Sequence, residues 1–130
     1  MLTKTANMSE KALDWAVAVA LGAKNFRFDT VAAYWMTLEG KDVALSAGWG
    51  VMAFCPSTQW ARGGPILTKA RISRTVDHSG QWVAYITSGY GESEDDRKFM
   101  HCDRSELIAG LRCFVESKLG VEVDVPAGLL

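Results

Sequence analysis

His101, Cys102 and Asp103 stand side by side and bring together an imidazole, a thiol and a carboxylate, the groups of a nucleophilic hydrolase. A working Cys–His pair needs the two side chains to face each other, which neighbours in a chain seldom manage. Asp103, with Glu106 three residues on, also reads as a capping box that opens a helix. The other histidine, His78, falls in a turn too distant to complete the pair. No catalytic residue is therefore assigned, and the chain reads as a non-enzyme. No CxxC, HxxxH or HExxH spacing occurs, so neither a metal site nor a cofactor is expected. Glu92, Glu94, Asp95 and Asp96 form an acidic run, but without the alternate ligands, central glycine and late glutamate of an EF-hand. That run reads as a solvated loop between a hairpin and the last helix.

The most patterned stretch is FCPSTQWARGGPIL, residues 54–67. Pro56 fixes its own φ and pushes Cys55 towards an extended conformation. Ser57 or Thr58 is placed to cap a short helical turn carrying Trp60. Gly63 and Gly64 then break that turn, and Pro65 opens an extended segment through Ile66 and Leu67. The glycines follow the turn instead of preceding a helix, which is the wrong order for a phosphate cradle. Arg62, Lys69, Arg71 and Arg74 form a basic cluster that, with Trp60 and Trp82, could hold single-stranded nucleic acid by charge and stacking. Protection of an edge strand by long basic side chains accounts for it without a ligand. Pro56, Ser57, Thr58, Trp60, Arg62, Gly63, Gly64 and Pro65 are the candidate binding surface. Most of the five tryptophans belong in a core, and one left exposed would mark a partner surface.

The elements that must position these residues are legible in part. Residues 8–22 have helical spacing, with Leu13, Val17, Ala20 and Leu21 on one face and Trp15 and Val19 on a second stripe; Lys11, Asp14 and Ala18 fall towards solvent. Asn7 or Ser9 caps this helix and Gly22 ends it. Residues 70–76 and 81–87 are strand-like and flank Asp77-His78-Ser79-Gly80, a hairpin composition. Residues 42–54 hold one or two strands, interrupted at Gly48 and Gly50, and residues 30–38 fit a helix face or a strand equally well. Leu107, Ile108, Leu111, Phe114, Val115 and Leu119 make the broad apolar face of a last helix that Gly120 ends. The small residues Ala109, Gly110, Cys113 and Ser117 line its back, either packed against another backbone or simply exposed. If packed, Trp15 of the first helix is expected to cover them. The order of elements argues for one α+β domain over residues 1–130, an antiparallel sheet with N-terminal and C-terminal helices packed on it.

Three blocks, ALDWAV at 12–17, PSTQWARGGPI at 56–66 and LIAGLRCFVESKLGVEVDVP at 107–126, resemble the NinX-like family of phages and prophages, in the family's order. The family more often has an acidic residue at Gln59 and glutamine at Arg62, and residues 25–50 are longer here. The resemblance implies an accessory protein of a phage or prophage, working in the bacterial cytoplasm. Together with the missing catalytic constellation and the two apolar stripes of the first helix, it leads to an expectation of contact with a phage or host protein, or with a second copy of the chain. It implies no enzyme activity and supplies no catalytic residues. The composition agrees: 130 residues, 48% hydrophobic and 22% charged, describe an ordinary globular domain. A formal charge of −1 gives no global field towards nucleic acid or an anionic membrane. Three cysteines, an odd number in a chain that needs no staples, suit a reducing compartment. The apolar run near the start is too short to span a bilayer.

Overall fold

The computed structural model describes residues 1–8, 10–28, 34–45, 53–87 and 96–129. Along them run β1 (Leu2–Lys4), a 3-10 turn (Thr5–Asn7), α1 (Glu10–Ala20), β2 (Lys24–Phe28), β3 (Tyr34–Leu38) and β4 (Lys41–Leu45). There follow β5 (Ala53–Phe54), α2 (Trp60–Lys69), β6 (Ser73–Val76), β7 (Trp82–Thr87), β8 (Arg97–Asp103), α3 (Glu106–Leu119) and β9 (Glu122–Asp124). The class is α+β, with helices packed on sheets. Its strands divide into three sheets ordered β1-β9, β2-β3-β4-β5 and β6-β7-β8, and all pairs are antiparallel except β4–β5. Residues 34–38, which suited two conformations, are strand. Gly48, Gly50, Trp49 and the acidic residues 92–95 lie outside the described residues.

α3 is the centre of the packing. It lies on the β6-β7-β8 sheet and meets α1 and α2 on its other sides, so both its broad face and its small-residue back are buried. A methyl group at Gly110 would come within 2.6 Å of Leu67 Cδ1, which shows how closely α2 rides on this helix. Leu67, and not Trp15, is thus the side chain seated on Gly110. Trp15 packs instead on Phe26 of β2, ring centroids 6.0 Å apart. Burial among these helices pushes the Cys113 thiol up to about 12, so it stays protonated and inert.

The start of α3 differs from the sequence reading. α3 is capped by Ser105, whose Oγ accepts from Ile108 N at 3.2 Å, while Asp103 accepts from Ser105 N at 2.8 Å and pairs with Arg112. Asp103 therefore braces the cap from behind, because it still belongs to β8. Asn7 lies in the 3-10 turn, and Ser9 is outside the described residues. The two helix stops are as read. Gly22 (φ 91°) and Ala23 donate back to Val19 O and Ala18 O in a Schellman motif, and Gly120 (φ 98°) closes α3. The 73–87 hairpin also forms as expected, its turn tied by Asp77 Oδ1, which accepts from Ser79 N and Gln81 N.

Residues 97–103, to which the sequence assigns no element, form a third strand of that sheet. A register shift between Ala84 and Ile86 faces Phe99, whose φ of 56° marks the bulge. No described helix is long and apolar enough to cross a membrane.

Candidate functional site

The patterned stretch folds into a tight turn followed at once by a helix. Thr58 N and Gln59 N both donate to Cys55 O at 3.1 Å, and Gln59, extended at φ −122°, becomes the N-cap of α2 with no side-chain cap bond. Neither Ser57 nor Thr58 caps the helix, which corrects the expectation for both. The helix then runs through Gly63, Gly64 and Pro65 without a break. The reason is packing. At Gly63 a methyl group would strike the Pro56 carbonyl oxygen and approach Leu107 Cδ2 to 2.6 Å, so glycine lets α2 fold back against its own entry turn and against α3. Pro65 has no N–H to give its helix, but it stands on the exposed side, where water can serve the carbonyl one turn back. Beside it, Ile66 and Lys69 border an open groove of about 470 Å³ against Leu21 and Phe114.

Trp60, the first residue of α2, is 51% exposed and does not plug the core. Its ring lies over Gly64, where an added methyl would meet Cε3 at 2.9 Å. Arg62 lies 5.8 Å from the centroid of the buried Phe54 ring. The basic cluster does not act as one patch. Arg74 is committed to Glu106 of α3 at 3.0 Å, whereas Lys69 and Arg71 are exposed at the far end of α2. The reactive triplet on β8 is likewise divided by the alternation of a strand. His101 is buried and bonded through Nε2 to Glu116 at 2.7 Å, Cys102 is exposed, and Asp103 holds the α3 cap.

The residue that completes the site was not among those singled out. Asp14 of α1 is 2% exposed, and its Oδ1 accepts from Ser57 N at 2.9 Å. This bond joins the first patterned block, ALDWAV, to the second, PSTQWARGGPI. Burial pushes the Asp14 carboxyl up to about 6; the Ser57 amide and hydroxyl hold it down, and Glu10 adds a smaller upward push. Ser57 Oγ is near enough to favour the carboxylate, yet makes no hydrogen bond of adequate geometry. Asp14, Cys55, Ser57, Thr58 and Gln59, with Glu10 and Lys11, line a cavity of about 250 Å³. The sequence marks Asp14 as the single charge within the apolar run from Ala12 to Ala20, but on the side read as facing solvent, and the structure buries it. Among the described residues, no group of three or more His, Cys, Asp or Glu could hold a metal ion.

A family model described as "Bacteriophage P22, NinX" matches residues 4–118. That span contains Asp14, the turn at 55–59, α2 and nearly all of α3, and it ends before β9. No curated protein matches the chain.

Proposed function

The chain belongs to the bacteriophage P22 NinX family, and from that premise we propose that it works by binding another protein, of the phage or of its host, and catalyses no reaction of its own. The observation that carries this reading is Trp60. An indole half in water, at the start of a helix anchored from behind through Gly63, is an apolar contact element of the kind that dominates interface energies. Two of the three neighbouring groups that could do chemistry are occupied in holding the fold, His101 by Glu116 and Asp103 by the α3 cap and Arg112, and the strand turns the exposed Cys102 away from His101. A second copy of the chain is one such partner.

The test compares wild type with Trp60→Ala by affinity capture from phage-infected cells, with sedimentation to read self-association. Removal of a half-exposed ring is expected to cost at most about 1–2 kcal/mol of folding stability. A central hot spot would lose about 2 kcal/mol or more of binding. Equal capture by the two proteins refutes the reading. The second reading, a nucleic-acid-binding regulator, rests on exposed Lys69 and Arg71. A gel shift with single-stranded DNA at two salt concentrations decides it, since phosphate contacts weaken steeply as salt rises.

A further inference from the structure

Two polar groups are buried at the junction of α1 and the 55–59 turn without the partners their chemistry asks for. Asp14, a carboxylate with about four acceptor positions, takes one hydrogen bond of adequate geometry among the described residues, from Ser57 N. Among the described residues no cation pairs with it, although Lys11 is exposed nearby on the same helix. Ser57 is 3% exposed, and its Oγ, close enough to the Asp14 carboxylate to hold it down, makes no hydrogen bond of adequate geometry among the described residues. Both residues line the same cavity of about 250 Å³, several times the roughly 30 Å³ share of one water. We propose that this cavity is a binding site for a primary ammonium group on a short alkyl chain, seated between the Asp14 carboxylate and Ser57 Oγ.

The donor count selects the ligand. An ammonium has three N–H groups to distribute between the unused acceptor positions of Asp14 and the Ser57 hydroxyl. A guanidinium pairs best when both oxygens of a carboxylate are open to its planar fork, and here Asp14 Oδ1 already accepts from Ser57 N. A divalent cation wants six or more oxygens, and no such cluster exists among the described residues. An anion would meet Asp14 and, at the rim, Glu10. The alkyl part would lie against Cys55, whose buried thiol is a small apolar wall. The chemistry could come from a free amine or from a lysine side chain of a bound protein. The second source rests on the protein-contact reading, since Gln59, which lines the cavity, adjoins Trp60.

The test titrates the Asp14 side-chain carboxyl by NMR, and follows the melting temperature, with n-propylammonium chloride as the probe. Binding to the ionised form lowers the Asp14 pKa by about one unit when the amine is at roughly ten times its Kd. Tetramethylammonium chloride, which has the charge and no N–H, is expected to do neither. Asp14→Asn keeps an acceptor for Ser57 N and is expected to abolish the stabilisation by the amine. Ser57→Ala is expected to weaken it several-fold while leaving the unliganded protein at least as stable. A capped Gly-Lys-Gly peptide that acts where its Nε-acetyl form does not supports the lysine source. Response to n-propylammonium alone supports a free amine and leaves the Trp60 capture result unaffected. The proposal is overturned if neither probe lowers the Asp14 pKa, if tetramethylammonium acts equally, or if Asp14→Asn responds like wild type.

Discussion

Gly63 and Gly64 are neighbours in one helix, yet alanine is expected to act on them with opposite signs. In a helix interior either change gains about 1 kcal/mol of intrinsic propensity. At Gly63 the new methyl meets the Pro56 carbonyl oxygen and Leu107 Cδ2, the one backbone and the other buried under α2. Neither has room to retreat, so overpacking costs about 3 kcal/mol and the net loss is about 2 kcal/mol. At Gly64, apart from its chain neighbours, the methyl meets Cε3 and Cζ3 of Trp60, a half-exposed ring that can swing outwards; Pro65 crowds the Cβ of a helical residue before it, so part of the propensity gain survives. With an unfolding entropy of about 2.1 cal/mol/K per residue, the melting temperature falls by about 7 °C in Gly63→Ala and rises by about 2–4 °C in Gly64→Ala. Differential scanning calorimetry reads both. Two shifts of the same sign and similar size would refute the claim that contact, and not helix breaking, accounts for these glycines.

Asp14 makes stability depend on pH in a defined direction. Its carboxyl is raised from 3.8 to about 6 by burial, so its contribution is full below about pH 4 and is lost as pH rises through 6. That loss amounts to about 3 kcal/mol. Asp42 and Asp77 are lowered, chiefly by hydrogen bonds from Thr37 and Ser79, and act in the opposite sense, so the wild-type profile is a sum. The difference between wild type and Asp14→Asn in urea midpoint at about pH 4.5 and about pH 7.5 isolates Asp14; a constant difference would contradict the assignment. Gly110→Trp is expected to cost about 3 kcal/mol or more, because even a methyl at this position collides with Leu67. Unchanged melting and sedimentation would mean that the back of α3 is open.

How much of this was legible follows from how local each signal is. α1, the 73–87 hairpin and α3 show in the sequence because their periodicity and their glycine and Asx signals lie within the element itself. β2 is short, and Phe26-Arg27-Phe28 offers too brief an apolar alternation to mark a strand by itself; its pairing with β3 completes it. β8 was obscured by its residue types, since Arg97–Asp103 carries the charges, imidazole and thiol that suggest a loop or a site. α2 misled for a physical reason: Gly63, Gly64 and Pro65 break isolated helices, but tertiary contact at Gly63 needs the very residue that local propensity rejects. The site was legible as two patterned blocks. Their meeting at Asp14 and Ser57 was not, because a buried charge on a helix looks the same in sequence as an exposed one.

The pairing of β1 with β9 ties Leu2 to Asp124, the two ends of the described chain, through a ladder of three residue pairs. Such a contact has the longest loop to close, and both of its strands are mostly exposed, so the ladder is late to gain from folding and early to open. During synthesis β1 emerges early and stays without its partner until β9 leaves the ribosome, well after α1 and the Asp14–Ser57 junction can assemble. Amide exchange at Thr3 and Val123 should therefore be governed by local fraying, and that at Leu13 and Leu111 by global unfolding.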